Sequence, residues 1–451
     1  MFTNFKSVYF IGIGGISMSA LARIYKANGV EVYGSDIVES EMTKKLIQEG
    51  MEIKIGNAPD FVRICDAVVT TSAVGEDNSD LLLAQKLSRP IFTRADILGN
   101  ISKKYKTISV AGTHGKTTTT GMIANCLMTA SKDPMVHVGG ILNNINSNLH
   151  LGKGGFFVTE ACEYKDSFLS LKSFVSVVLN IEEDHMDYFG KLDNIFKSFN
   201  KFIKNTSKKG AIIYNFDEKY EKLKIPPNSL SFGLAENADV RASKIKSKKG
   251  KYSFALVYQN KEIGRIKLPC VGKHNVLNAL ATCAVCIFLG LSFKEIKQGI
   301  ESFSGIERRF QIIKNDKALI FHDYAHHPSE IESTLKTCRE ISKNKKIITI
   351  FQPHTFTRTK DLYADFVKSF NLSDEVWLLP IYPARELPIE NITSLNLSKD
   401  IEKTGKKCRY FSTFDECLKE IMRENKRKNI IAILGAGDIY NLTFKINKIR
   451  N

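Results

Sequence analysis

The sequence predicts an α/β protein of three domains built on largely parallel sheets. Short apolar, β-branched runs recur along the chain, each followed by a helical pattern. The runs fall into three sets, separated by a polar, lysine-rich step at residues 100–106 and by a break at residues 302–309 after a long helical segment. The length of 451 residues agrees, since it suggests two to four domains rather than one.

The first set of predicted strands is residues 8–13, 30–33, 67–71 and 91–93; the second is 107–111, 156–160, 175–180 and 211–215. The third is 319–323, 346–352, 376–381 and 430–434. Between the last two sets, residues 244–271 read as β-rich, with 252–258 and 261–268 as hairpin strands decorating the central domain. Domains are expected at 1–101, 102–304 and 305–451. The chain carries no internal repeat and no low-complexity linker.

Composition narrows the class. Hydrophobic residues make up 43% and charged residues 25%, ordinary for a globular protein. No apolar run approaches the roughly 18–20 residues that cross a bilayer, and Met1–Asn4 does not open a leader. A cytoplasmic protein with no membrane insertion is expected. Nine scattered cysteines read as reduced thiols, and the Cys283/Cys286 pair as small residues of a buried helix spanning residues 278–290. The net charge is +17, but the lysines are spread over segments such as 204–209, 244–251, 343–346 and 424–428, without interleaved aromatics. That pattern suits small anionic substrates better than nucleic acid.

Three regions carry chemistry. Gly12, Gly14, Gly15, Ile16 and Ser17 lie between a strand and a helix expected over residues 19–27. Glycines there let the backbone approach a pyrophosphate at the helix N-terminus, and Asp36, closing the next strand, sits where a ribose-binding acid is expected. Ser17 takes the third glycine position. A structural tight turn remains the alternative, and any nucleoside diphosphate would use the same amides.

Gly112, Thr113, His114, Gly115, Lys116, Thr117 and Thr118 follow the strand 107–111 and open a helix. They form a phosphate-binding loop in which amides cradle phosphates, Lys116 meets the β/γ charge and the Thr117 hydroxyl can hold Mg²⁺. Val110 replaces the first glycine of the strict pattern. Glu160 ends one parallel strand, and Asp184 and His185 follow another, so all three can converge on the same sheet edge. A carboxylate there suits Mg²⁺; for His185, a surface histidine is an open alternative.

The third region is His322, Asp323, Tyr324, Ala325, His326, His327 and Pro328, just past a strand, and Gln352 to Arg358 repeats the arrangement. Titratable groups at strand ends mark sites in α/β sheets, and Arg358 can clamp a carboxylate. An ordinary helix start and a solvent-facing arginine are the bland alternatives.

In this order the segments FIGIGGISMS (10–19), AGTHGKTTTT (111–120), EACEYKDSFL (160–169), NIEEDHMDYF (180–189), GKHNVLNA (272–279), FSGIERRF (303–310), HDYAHHPSE (322–330), QPHTFTRT (352–359) and GAGDI (435–439) resemble the Mur ligases of peptidoglycan synthesis over nearly the whole chain. DYAHHP and QPHTFTRT resemble the alanine-adding branch.

The resemblance implies an N-terminal Rossmann-like UDP-binding domain, a central P-loop ATPase-type sheet and a C-terminal Rossmann-like domain. It implies an ATP- and Mg²⁺-dependent ligase joining L-alanine to the lactyl carboxylate of UDP-N-acetylmuramic acid through an acyl phosphate. That reaction serves cell-wall biogenesis, and with it cell shape and division. The loop from Gly12 to Ser17, with Asp36 and Ser72, would hold the UDP-sugar. Gly112 to Thr118, His274, Asn278, Arg309 and Asp323 would hold ATP, and Thr117, Glu160 and His185 the metal. Lys116, His326 and Arg358 would serve catalysis, the last two around the alanine.

The sequence departs from the family pattern at Ser17, at Cys162 (where many relatives have Asp) and at Thr355 (where some have Arg). The third domain is expected to exclude water from the acyl phosphate. A monomer or homodimer is expected. The alternatives are a recycling ligase that adds a preformed tripeptide to the same UDP-sugar, a folylpolyglutamate-type ligase, a nicotinamide oxidoreductase built on the first domain and a P-loop protein acting on nucleic acid.

Overall fold

The computed structural model describes residues 5–218, 221–314, 317–342, 344–384 and 386–448; the Met1–Asn4 and Lys343 readings lie outside the described residues. The chain divides into two compact units. The first comprises residues 1–241, 258–261 and 280–303, and the second 242–257, 262–279 and 304–451.

The first unit opens with a five-stranded parallel sheet of β1 (Ser7–Ile11), β2 (Glu31–Asp36), β3 (Glu52–Ile55), β4 (Ala67–Thr70) and β5 (Ile91–Thr93), in the order β3-β2-β1-β4-β5. β1 is buried along its length because helices cover both faces: Val8 and Phe10 enter one core, Tyr9 and Ile11 another. Strand order reverses beside β1, the place where doubly wound sheets take their ligands.

A second sheet begins in the same unit with β6 (Lys106–Ala111), β7 (Met135–Leu142), β8 (Ser147–His150), β9 (Phe156–Glu160), β10 (Ser173–Val178), β11 (Ala211–Asn215) and β12 (Ser229–Gly233). These lie in the order β12-β11-β10-β6-β9-β7-β8, parallel except for β8. β13 (Val240–Lys248) begins here and passes into the second unit, where with β14 (Lys251–Tyr258) and β15 (Lys261–Val271) it forms the order β15-β14-β13. The expected hairpin is present, with one further strand.

The second unit also holds a six-stranded sheet of β16 (Gln311–Lys314), β17 (Leu319–Asp323), β18 (Lys346–Phe351), β19 (Glu375–Leu378), β20 (Lys407–Tyr410) and β21 (Asn429–Leu434). Its order is β16-β17-β21-β18-β19-β20, with only β16 antiparallel. Alternate residues of β21 feed opposite layers: Ile430, Ala432 and Leu434 on one face, Ile431 and Ile433 on the other. The first layer is closed by Ile331, Leu335, Phe366 and Leu397, the second by Cys417, Ile421, Leu442 and Ile446.

Differences from expectation have local causes. β1 stops at Ile11 because Gly12 turns left-handed, φ 79°. The first helix starts at Ile16, not 19, capped by Gly15. β3 and β20 are short edge strands whose charged, part-exposed residues carry little apolar signal, and β16 is an edge strand of only four residues. All nine cysteines are free thiols, and Cys283 and Cys286 are buried in the helix His274–Phe288.

Candidate active site

The phosphate loop is built by two glycines and one asparagine. Gly112 sits at φ 140°, where a Cβ would lie 2.9 Å from Leu179 Cβ, so only glycine lets the loop pass β10. Gly115, φ 83°, caps the helix Lys116–Thr129 and leaves its first amides turned to the loop. Asn180 grips the loop from both sides: its Oδ1 accepts from the His114 amide at 2.7 Å and its Nδ2 donates to the His114 carbonyl at 3.1 Å. Thr113 Oγ1 accepts from the Glu182 amide at 2.9 Å, and His114 Nε2 lies 3.4 Å from Glu182 Oε2.

Lys116 donates to the carbonyls of Gly112 and Thr113 and, at 2.9 Å, to Glu163 Oε1. Burial, the largest influence, depresses its ammonium, but Glu163, Cys162 and Asp184 together outweigh it, so the pKa is raised and the lysine stays charged. Thr117 is buried at the helix start. Cys162 stands beside this pair, its thiol raised chiefly by burial and then by Glu163.

The acids divide into two positions. Glu160, ending β9, accepts at Oε1 from the Gly139 amide at 2.6 Å. Glu163, Asp184 and His185 each bring a ligand atom within 4.8 Å of one another. Glu163 is buried, and its Oε2 has no hydrogen-bond partner. His185 adopts a left-handed backbone at the start of the helix Met186–Phe189, and its ring lies tilted against Tyr164, centroids 4.6 Å and planes 35° apart. Two hard oxygen donors, one orphaned in a buried site, with an imidazole beside them, form a donor set that fits Mg²⁺. Sequence reasoning placed Asp184 beside His185 at this sheet edge but passed over Asn180 and Glu163; their signal was position just past the carboxyl ends of β10 and β9.

In the first sheet, Gly14 donates its amide to Asp36 Oδ2 at 2.8 Å, so the acid holds the glycine loop. Gly12 and Ile13 donate to the Ser35 carbonyl. Ile16 and Ser17 form the first turn of the helix Ile16–Ala27, and Ser72 is exposed beyond β4.

In the second unit, His274 opens its helix and shares Nδ1 with Ser333 Oγ at 3.1 Å. Asn275 links it to Asn278, accepting from Asn278 Nδ2 at 2.9 Å. Asp323, at the end of β17, accepts from the amides of Phe310 and Ala325, both at 3.0 Å. Burial pushes its carboxyl up to about 6 against the pull of Arg309. Arg309 lies 3.8 Å from Glu330, which also accepts from the His326 amide at 3.0 Å. His326 Nδ1 sits 3.0 Å from the Tyr324 carbonyl, and its ring packs edge-on to His354, centroids 5.9 Å apart. Arg358 Nη1 lies 3.2 Å from His354 Nδ1. The structure thus joins His326 and Arg358 through His354, which the sequence reading had not singled out. Thr355, φ 66°, caps the short helix that carries Arg358.

A glycine loop at the switch point of one sheet, a P-loop with gathered carboxylates on a second, and a histidine–arginine cluster on a third define a nucleotide-dependent ligase. Comparison with known proteins agrees. The Mur ligase family catalytic domain matches residues 7–106, the Mur ligase middle domain 110–286 and the Mur ligase glutamate ligase domain 308–437. The chain belongs to the Mur ligase family. It is 42% identical over 447 residues to the UDP-N-acetylmuramate–L-alanine ligase of Acetivibrio thermocellus, covering 97% of this chain and 95% of that one. The crystal structure of the UDP-N-acetylmuramate–alanine ligase of Thermotoga maritima superposes with a TM-score of 0.85 at 29% identity, covering 99% of each chain. A murein peptide ligase from Psychrobacter arcticus shares the fold, with a TM-score of 0.73 at 22% identity and 98% coverage of each chain. Among the described residues no helix is long and apolar enough to cross a membrane.

Proposed function

We propose that this ligase joins L-alanine to the lactyl carboxylate of UDP-N-acetylmuramic acid, with ATP cleaved to ADP and phosphate, in the cytoplasm, as a step of peptidoglycan precursor synthesis. The observation that carries the reading is the full-length likeness to L-alanine ligases at 42% identity, together with the P-loop of a Lys116 held charged by Glu163. We assign the work to domains at 1–101, 102–304 and 305–451.

The division of labour follows from charge. A carboxylate oxygen attacks the γ-phosphorus, and the bond to the leaving ADP breaks. Two anions must approach, so Lys116 and the amides of Gly112 to Thr118 offset the repulsion. Mg²⁺ would neutralise phosphate charge, with the gathered Glu163, Asp184 and His185 as its donors and Thr117 and Glu160, the ligands expected from the sequence, as the further residues that would complete its shell. Gly12 to Ser17, Asp36 and Ser72 take the UDP-sugar. His274, Asn278, Arg309 and Asp323 serve the nucleotide.

The acyl phosphate is then attacked by the amine of L-alanine, the carbon–oxygen bond to phosphate breaks, and one proton leaves the nitrogen. His326 suits that proton: with Nδ1–H donated to the Tyr324 carbonyl, its lone pair lies on Nε2. Arg358 suits the alanine carboxylate.

The test is isotopic. UDP-N-acetylmuramic acid carrying oxygen-18 in its lactyl carboxylate should pass one labelled oxygen to the released phosphate, with the amide product seen by mass. Unlabelled phosphate would rule out the acyl-phosphate route.

A further inference from the structure

We propose that His137 is a positioning residue for the ligation, locking the glycine loop of the first sheet to the strand end that carries Glu160. The inference rests on the UDP-sugar assignment of Gly12 to Ser17 and deepens it. No motif includes His137; it lies in β7, a strand hidden from sequence reading by its glycine pair.

We assign the hydrogen bonds one direction, set by the Thr159 hydroxyl. Thr159 Oγ1 donates to the Glu160 carbonyl at 3.2 Å. Its lone pairs therefore accept from His137 Nδ1–H, 3.0 Å away. That leaves the His137 lone pair on Nε2, where it accepts the Ser17 hydroxyl at 2.9 Å. Arg94 Nη1 approaches the same Ser17 oxygen at 3.4 Å. The ring is buried and neutral, so the chain needs no extra proton.

The same strand holds the acid. Two residues after His137, the Gly139 amide donates to Glu160 Oε1 at 2.6 Å. The neighbouring strand β8 contributes a second grip, since the buried Asn148 Nδ2 donates to the Ile16 carbonyl and to Ser19 Oγ. The β7–β8 hairpin thus fixes the first turn of the helix Ile16–Ala27 relative to β9. In the reaction that distance sets where the carboxylate meets the γ-phosphate, and a misplacement of about 1 Å can cost on the order of a hundredfold in rate.

The experiment uses the full-length enzyme with His137→Ala, His137→Gln, Ser17→Ala and the Ser17→Ala/His137→Ala double variant. Unfolding midpoint, affinity for UDP-N-acetylmuramic acid, affinity for Mg·ATP and single-turnover phosphate release are measured for each. His137→Ala is expected to slow phosphate release about tenfold while both affinities stay within about twofold. His137→Gln, whose amide oxygen can accept from Ser17, is expected to recover most of the rate. The double variant should be no slower than His137→Ala alone.

Full speed in a folded His137→Ala, a Gln variant as slow as Ala, or additive losses in the double variant each overturn the proposal. If His137→Ala does not fold, Ser17→Ala decides: slowed release with both affinities intact supports it, and full speed, or slowing explained by lost UDP-sugar affinity, overturns it. Failure of the wild-type enzyme to bind UDP-N-acetylmuramic acid would instead sink the functional reading, before any variant is compared.

Discussion

Lys116 Nζ lies 2.9 Å from Glu163 Oε1, an ion pair at the mouth of the phosphate loop whose acid is 4% exposed and whose lysine is 18% exposed. A buried ammonium alone would shed its proton; beside Glu163 it keeps it. The carboxylate partner therefore holds Lys116 as a charged ammonium.

Lys116→Ala should lower kcat by about a hundredfold or more, the scale of losing one preorganised charge partner. Binding of UDP-N-acetylmuramic acid, followed by calorimetry, should be retained. Equal loss of both contradicts the division of labour between the two glycine loops.

Gly112→Ala tests the loop backbone. With φ 140° and a Cβ 2.9 Å from Leu179 Cβ, the variant carries strain of about 1–3 kcal/mol. Nucleotide affinity should fall, with a lower unfolding midpoint, and bound ATP should recover part of it. Wild-type affinity and stability would show that the loop tolerates a side chain there.

His137 gives a signed pH effect on stability. Burial, and then Arg94, hold its imidazole down to about 3, against 6.5 ordinarily. Below pH 6.5 the unfolded chain takes a proton that the folded state refuses. The stability is therefore present above 6.5 and is lost as pH falls toward 3, by about 1.4 kcal/mol per pH unit. His137→Gln removes this component, so its denaturant midpoint should decline less steeply than wild type as pH falls below 6.5. Parallel declines would mean that His137 titrates normally.

Arg358→Ala should raise the KM for L-alanine by roughly ten- to a hundredfold while leaving Mg·ATP affinity unchanged. Arg358→Lys should recover little, because a point charge cannot reproduce the two-pronged contact proposed for the guanidinium. A change in ATP affinity alone would move Arg358 out of the alanine site.

Much of this was legible in the sequence. β-branched runs such as those ending at Ala111 and Glu160 are buried on both faces, and sheet interiors of that kind write a continuous apolar signal. The P-loop was legible because Gly112, Gly115 and Lys116 must sit at fixed spacing to present amides and charge together. Glu163, Asn180 and His137 were not, because their roles come from contacts across elements: Asn180 to His114 and His137 to Ser17. β7 was missed because Gly139 and Gly140 break its apolar pattern, while its pairing with β9 supplies the order that its composition does not. His354 lay inside a motif, but only the fold places it between His326 and Arg358.

The most direct measurement is phosphate release from Mg·ATP with UDP-N-acetylmuramic acid, with and without L-alanine or the preformed tripeptide. Sustained release that requires both the UDP-sugar and L-alanine, yielding the alanyl amide, is the predicted result. Release that requires the tripeptide and ignores L-alanine would contradict the assignment and make the protein a recycling ligase.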